Sequence, residues 1–206
     1  MILSLNEIES SIRKAALGAG LPLGFAEDTG RAVAFLHAAG FDGISAALPC
    51  FRVDFTPAVV MRNGALVRFE GGHPVSRAIA ALDLVAAGQA QQAELFSFEQ
   101  PLLLAGLAMV CSSEQGVGFS LTFATAAKAS IFAQNIVIDG EFPNGPAAVL
   151  ILQSNGQTGV PLSQPQMRNV DKYLWDQVTR LAARTYVPSS AQSRLLGAGA
   201  GVTDND

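Results

Sequence analysis

Ala58-Val-Val-Met-Arg-Asn-Gly-Ala-Leu-Val-Arg-Phe-Glu70, followed at once by Gly71-Gly-His-Pro-Val-Ser-Arg77, decides the fold class. Asn63-Gly64 between two strand-like runs favours a type I′ hairpin. Pro57 fits the start of an edge strand. Pro74 then suits the first turn of a helix that reaches about Ala87, with Gly88 at its end. Val75, Ile79, Leu82 and Val85 form its apolar stripe, and the alanines between them predict burial nearly all round. Strand, turn, strand and helix in direct succession point to an α+β protein.

The same alternation continues on both sides. Toward the N-terminus, Ser4 and Glu7 have capping-box spacing, and Leu5, Ile8 and Ile12 recur at helical intervals. That helix runs to about Ala16. A second opens at Pro22, carries Phe25, Thr29, Val33 and Leu36 on one face, and stops at Gly40. Toward the C-terminus, Ala93–Phe98 reads as a strand, and the apolar run from Pro101 to about Ser113 fits helix or strand. Val117, Phe119, Leu121 and Phe123 alternate with small or polar residues, as in a half-buried strand. Another strand falls within Ala133–Ile138. Ala147–Leu152 suits a central strand covered on both faces, and Asn155-Gly156 marks a turn. A last helix spans about Pro165 to Arg184, with Val170, Leu174, Val178 and Leu181 as its core face and Tyr173 and Trp175 packed beside them.

The expectation is one α+β domain over residues 1–206: a helical hairpin in 1–49, a sheet-and-helix core in 50–185, and an ordered segment in 186–206. Its sheet is mainly antiparallel or mixed, with helices on its faces.

Half of the 206 residues are apolar and only 15% are charged, against about 25% charged in a typical soluble domain. Surface is therefore expected to be hidden in a homodimer or larger homo-oligomer. No apolar run reaches the roughly 18–20 residues of a membrane span. Net charge is −4 and no Lys/Arg cluster occurs along the chain, which argues against nucleic acid and anionic membrane as partners. Met1-Ile-Leu-Ser-Leu-Asn-Glu does not read as a secretory signal, so a cytoplasmic location is expected. Cys50 and Cys111 stand alone, which excludes a disulfide framework and a zinc motif.

The helix that opens at Pro74 is the first candidate site. Its free N–H groups and dipole, with Ser76 and Arg77, could meet a carboxylate or phosphate. His73 could act as acid or base. The competing reading is a capped helix whose Arg77 pairs with a nearby acid. The C-terminal stretch is the second candidate. Gly197, Gly199 and Gly201 could bring backbone N–H groups to an anion, and Arg194 and Asp204 could complete a site. Cys50, beside Arg52, and Cys111 are weighed as nucleophiles against inert core thiols, and Lys128 as a Schiff-base lysine against an exposed one. No nucleophile elbow, zinc helix or phosphate-binding loop occurs, and neither a metal nor a cofactor is specified.

Ala19-Gly-Leu-Pro22, Ala26, Ala32, Leu36, Ala39 and Gly43-Ile-Ser45 resemble the helical N-terminus of the malate/L-lactate dehydrogenase family that lacks a Rossmann fold. That resemblance implies NAD and a hydroxyacid. Where the family carries Ser-His-Gly this chain has Ser45-Ala46-Ala47, so the implied catalytic histidine is missing and the activity is not carried over. Leu3-Ser-Leu-Asn-Glu-Ile-Glu9, Lys14-Ala-Ala-Leu-Gly-Ala-Gly-Leu-Pro22 and Ser193-Arg-Leu-Leu-Gly-Ala-Gly-Ala-Gly-Val-Thr-Asp-Asn-Asp206 resemble a mostly proteobacterial family of similar length that is a domain of unknown function. A resemblance of that kind supplies no activity. Two readings stand: an enzyme or enzyme subunit acting on a small anionic metabolite, or a non-catalytic assembly or accessory protein that docks through its C-terminal segment.

Overall fold

A computed structural model describes residues 1–154 and 167–186. The Asn155-Gly156 turn, the helix start near Pro165, and Arg194, Gly197, Gly199, Gly201 and Asp204 lie outside the described residues.

The N-terminal helical hairpin is present. Helix α1 (Leu5–Gly18) begins at the expected capping box: the Ser4 side chain accepts from the Glu7 N–H, and Glu7 reaches back to the Ser4 N–H at 2.8 Å. Helix α2 is Leu23–Ala38. It is followed by a short helix α3 (Gly43–Ala47), capped by Asp42, and a 3-10 turn over Leu48–Arg52. Neither was expected, because five-residue turns carry too little periodicity to register.

Strand β2 (Val59–Asn63) pairs antiparallel with β3 (Leu66–Glu70), as the Asn-Gly signal requires. The two loop residues are Gly64 and Ala65. Gly64 has φ +60° and Ala65 is not at positive φ, the pattern of a type II′ turn and not the expected I′. Helix α4 (Pro74–Ala86) then crosses over to β4 (Gln92–Phe98), which lies parallel to β3. The alternative left open over Pro101–Ser113 resolves to helix α5 (Pro101–Gln115), closed by Gly116 at φ +68°. Strands β5 (Gly118–Phe123), β6 (Lys128–Phe132), β7 (Asn135–Asp139) and β8 (Ala147–Ser154) complete a seven-stranded mixed sheet in the order β2-β3-β4-β8-β5-β6-β7.

Register assigns the two faces. Val67, Ala93, Ile151, Leu121 and Ala129 fall in one row across the sheet, and all are fully buried. Helices α4 and α5 pack on the sheet, and α2 packs on α5 as a further layer. The row Met61, Arg68, Glu94, Leu150, Thr122, Lys128 and Asp139 marks the other face. There Val59, Met61, Phe96 and Val137 are exposed, and Leu150 and Leu152 of the central strand are only half-buried. The apolar run at Ala147–Leu152 is thus not covered on both faces by described residues.

The last helix starts later than expected. Residues Met167–Asn169 form strand β9, paired with β1 (Ile2–Ser4). Helix α6 (Lys172–Ala182) begins where the Asp171 carboxylate accepts from the Leu174 N–H at 3.0 Å, and ends in a 3-10 turn, Ala183–Thr185.

Candidate anion-binding cleft

At the mouth of α4, His73, Ser76 and Arg77 all have partners within the chain, and Arg77 Nε alone of their polar side-chain atoms is buried without one. His73 is the N-cap and is fully buried. Its Nδ1 accepts from the Val75 N–H at 3.2 Å, and its Nε2 lies 2.9 Å from the Cys50 carbonyl oxygen. A carbonyl only accepts, so Nε2 carries the proton and the ring is the neutral tautomer. Burial holds the imidazole below its usual pKa, against the opposing effect of the Cys50 carbonyl. Both ring nitrogens are committed, and none is open to a substrate. The Ser76 hydroxyl accepts from the Ala58 N–H at 3.0 Å. Arg77 is buried, stacks 5.3 Å from the Phe98 ring centre and pairs with Glu99. Pro74 is buried in the first turn. The arrangement is that of a capped helix with a paired arginine.

The other nucleophile candidates are equally occupied or inert. Cys50 is 1% exposed and its thiol is pushed up to about 12, by burial first and by Glu99 second. Cys111 is raised to about 12 by burial first, then by Asp83. Lys128 is an exposed strand residue. His37 is buried, with Nε2 3.4 Å from the Ile44 N–H, and burial lowers its pKa.

A different place gathers open polar groups. The 3-10 turn at Leu48–Arg52 inserts Phe51 into the core, which turns Arg52 and Asp54 outward. On α6, Trp175, Val178 and Ala182 are buried, and α6 packs against α1. At about 100° per residue, Tyr173, Gln177 and Arg180 fall within about 60° of one another on the opposite side. Arg184 follows in the next turn. These residues face Arg52 and Asp54 across a cleft of about 570 Å³ with Leu48, Phe51 and Leu181 in its apolar wall.

Three arginines therefore line one cleft: Arg52, Arg180 and Arg184. Arg52 Nη2 donates to Gln177 Oε1 at 2.9 Å, and Arg180 Nε donates to the Asp176 carbonyl at 3.0 Å. Each bond orients a guanidinium and leaves most of its five N–H donors free. Arg13, Arg31, Arg68, Arg77 and Lys172 pair with carboxylates; among the described residues the three cleft arginines, like Lys14, Arg62, Lys128 and Arg168 elsewhere, form no ion pair. Such forks match carboxylate and phosphate oxygens.

The sequence showed no basic cluster, because Arg52 is far along the chain from Arg180 and Arg184. The available signal was the spacing of Tyr173, Gln177, Arg180 and Arg184, a polar stripe opposite the apolar one. Tyr173 was expected to pack with the core; it is 69% exposed and lines the cleft. A second cleft of about 460 Å³ lies between α3 and the start of α5, lined by Asp42, Ser45, Ala46 and Glu99. Ala46, in its wall, stands where the dehydrogenase resemblance implies a histidine.

Residues 3–93 match a family model described as "Protein of unknown function (DUF3726)". The match takes in the opening stretches that carried the expected resemblance and not the closing one. No curated protein matches the sequence. Among solved structures, the chain is similar to sulfolactate dehydrogenase from Methanocaldococcus jannaschii, with TM-score 0.56 and 8% identity over 89% of this chain and 97% of that one. That likeness is one of fold. Malate dehydrogenase from Entamoeba histolytica gives TM-score 0.48 at 12% identity, covering 71% of this chain and 49% of that one. Malate dehydrogenase from Pyrococcus horikoshii gives 0.47 at 12% identity, covering 68% and 49%. The chain spans about half the length of these two malate dehydrogenases.

Proposed function

We propose that this protein binds a small anionic metabolite in the cleft between the Leu48–Arg52 turn and α6, as a binding component or as one subunit of an enzyme. The observation that carries the reading is that Arg52, Arg180 and Arg184 line one cleft and, among the described residues, form no ion pair. Three positive charges set against one carboxylate, Asp54, leave a net positive charge in the cleft, which an anion offsets while filling open hydrogen-bond donors. The cleft volume lies within the range of small-molecule sites, roughly 300–1,000 Å³. No histidine or cysteine lines it, and Asp54 and Tyr173 are its acid–base side chains.

Native mass spectrometry of gently purified protein tests this reading. The wild type is expected to retain a small anionic mass that the Arg180→Ala/Arg184→Ala protein lacks. Both side chains are exposed, so the double variant should fold. Equal retained mass in both proteins would remove the cleft from consideration.

A second reading, self-association, is favoured by the open face of the sheet. Val59, Met61, Phe96 and Val137 are exposed there in a chain of low charge content. Apolar surface of this kind marks contact sites.

A further inference from the structure

We infer that the ligand of the arginine cleft carries a cationic amine as well as acidic groups, because Asp54 shares the cleft with the three arginines. The inference rests on the anion-binding reading and adds the ligand's class to it. Asp54 is exposed, and among the described residues it enters neither an ion pair nor a hydrogen bond. Its near neighbour Arg52 donates instead to Gln177 on α6. A carboxylate in an anion site weakens binding of every ligand that is acidic throughout, since like charges at such range repel. It strengthens binding of a ligand that brings an ammonium to it.

The remaining wall narrows the class further. Leu48, Phe51 and Leu181 offer apolar surface between the polar groups. That surface suits a short methylene chain separating two acidic groups. The arginines would take the acids, and Asp54 the amine. An amino diacid has this pattern of charge. The cleft has room for substituents beyond the smallest member of the class.

Isothermal titration with succinate, L-malate and L-aspartate at fixed ionic strength tests the inference. These probes share two carboxylates and differ at one carbon. L-aspartate is expected to bind about fivefold tighter than succinate, the scale of a solvent-exposed ion pair. Asp54→Asn should weaken L-aspartate and strengthen succinate, a crossing that a merely structural role would not produce. Equal affinities for succinate and L-aspartate, both lost in Arg180→Ala/Arg184→Ala, would overturn the amine and leave the anion site standing. A preference for L-malate over L-aspartate would also overturn it and make Asp54 a hydroxyl acceptor. Binding of none of the three would overturn the amino-diacid class, whether or not other anions bind.

Discussion

His73 is fixed by two neighbours of opposite character. Val75 offers it a donor and Cys50 an acceptor, so only the neutral ring satisfies both. Protonation would put a second N–H against the Val75 N–H and charge a buried group. The consequence is a pH dependence of stability. His73 and His37 both have folded pKa values below the unfolded one, through burial first. The unfolded chain therefore binds protons first as pH falls, and stability present above about pH 6.5 is lost below it. The raised carboxyls of Asp28 and Asp83 act in the opposite sense, losing stability as pH rises through their folded values. Thermal melts at constant ionic strength should show a transition temperature level from pH 8 to 7 and falling from 6.5 to 5. His73→Asn keeps a cap acceptor and loses the titrating ring. It should cost about 1–2 kcal/mol at pH 7.5 and make the acid fall shallower. An unchanged slope would show that His73 does not carry the titration.

Helix α6 holds the cleft, and Gly18 sets how closely it approaches α1. A Cβ built on Gly18 would stand 2.0 Å from the Leu181 carbonyl oxygen and 3.4 Å from Arg184 Cβ. In an ordinary helix, glycine to alanine is stabilising by roughly 0.5–1 kcal/mol. At Gly18 the sign should reverse: Gly18→Ala should destabilise by about 1–3 kcal/mol and weaken anion binding, because α6 must shift. Gly24→Ala, in α2 with nothing within 4 Å of the added Cβ, is the control and should be neutral or stabilising. A Gly18→Ala protein that behaves like the control would contradict the close packing of α1 on α6. Elements with whole turns of pattern were legible in the sequence: the capping box at Ser4, the hairpin around Gly64, the strand at Gly118–Phe123 and the Pro74 helix. Helix α3 and β9 were not, because they are too short to show a period. The start of α6 was misplaced because Asp171, a good N-cap, was read as helix interior. The cleft was illegible for a different reason. It joins a turn near residue 52 to a helix face near residue 180, and only the packing of α6 on α1 brings them together.

Among the described residues the helices are layered on one side of the sheet, and Val59, Met61, Phe96 and Val137 are exposed on the other. Self-association through that face, proposed above, can be tested directly. Sedimentation equilibrium at micromolar concentration should give a dimer or larger, and Phe96→Asp should shift it toward monomer without lowering the monomer's stability. A wild-type monomer under those conditions would contradict that use of the sheet. Among the described residues no helix is long and apolar enough to cross a membrane. At the α6 cleft, a chain of net charge −4 places three arginines beside a single carboxylate, Asp54, and among the described residues none of the three forms an ion pair. A ligand that binds only the folded chain raises its melting temperature in proportion to the logarithm of its concentration over Kd. The most direct measurement is therefore thermal unfolding of wild type and Arg180→Ala/Arg184→Ala side by side. Each would be melted with a panel of small mono- and dianions, amino diacids included, at constant ionic strength. If the cleft binds anions, wild type should show a concentration-dependent rise for at least one dianion and the variant none. No rise for any anion, or the same rise in both proteins, would contradict anion binding in the cleft.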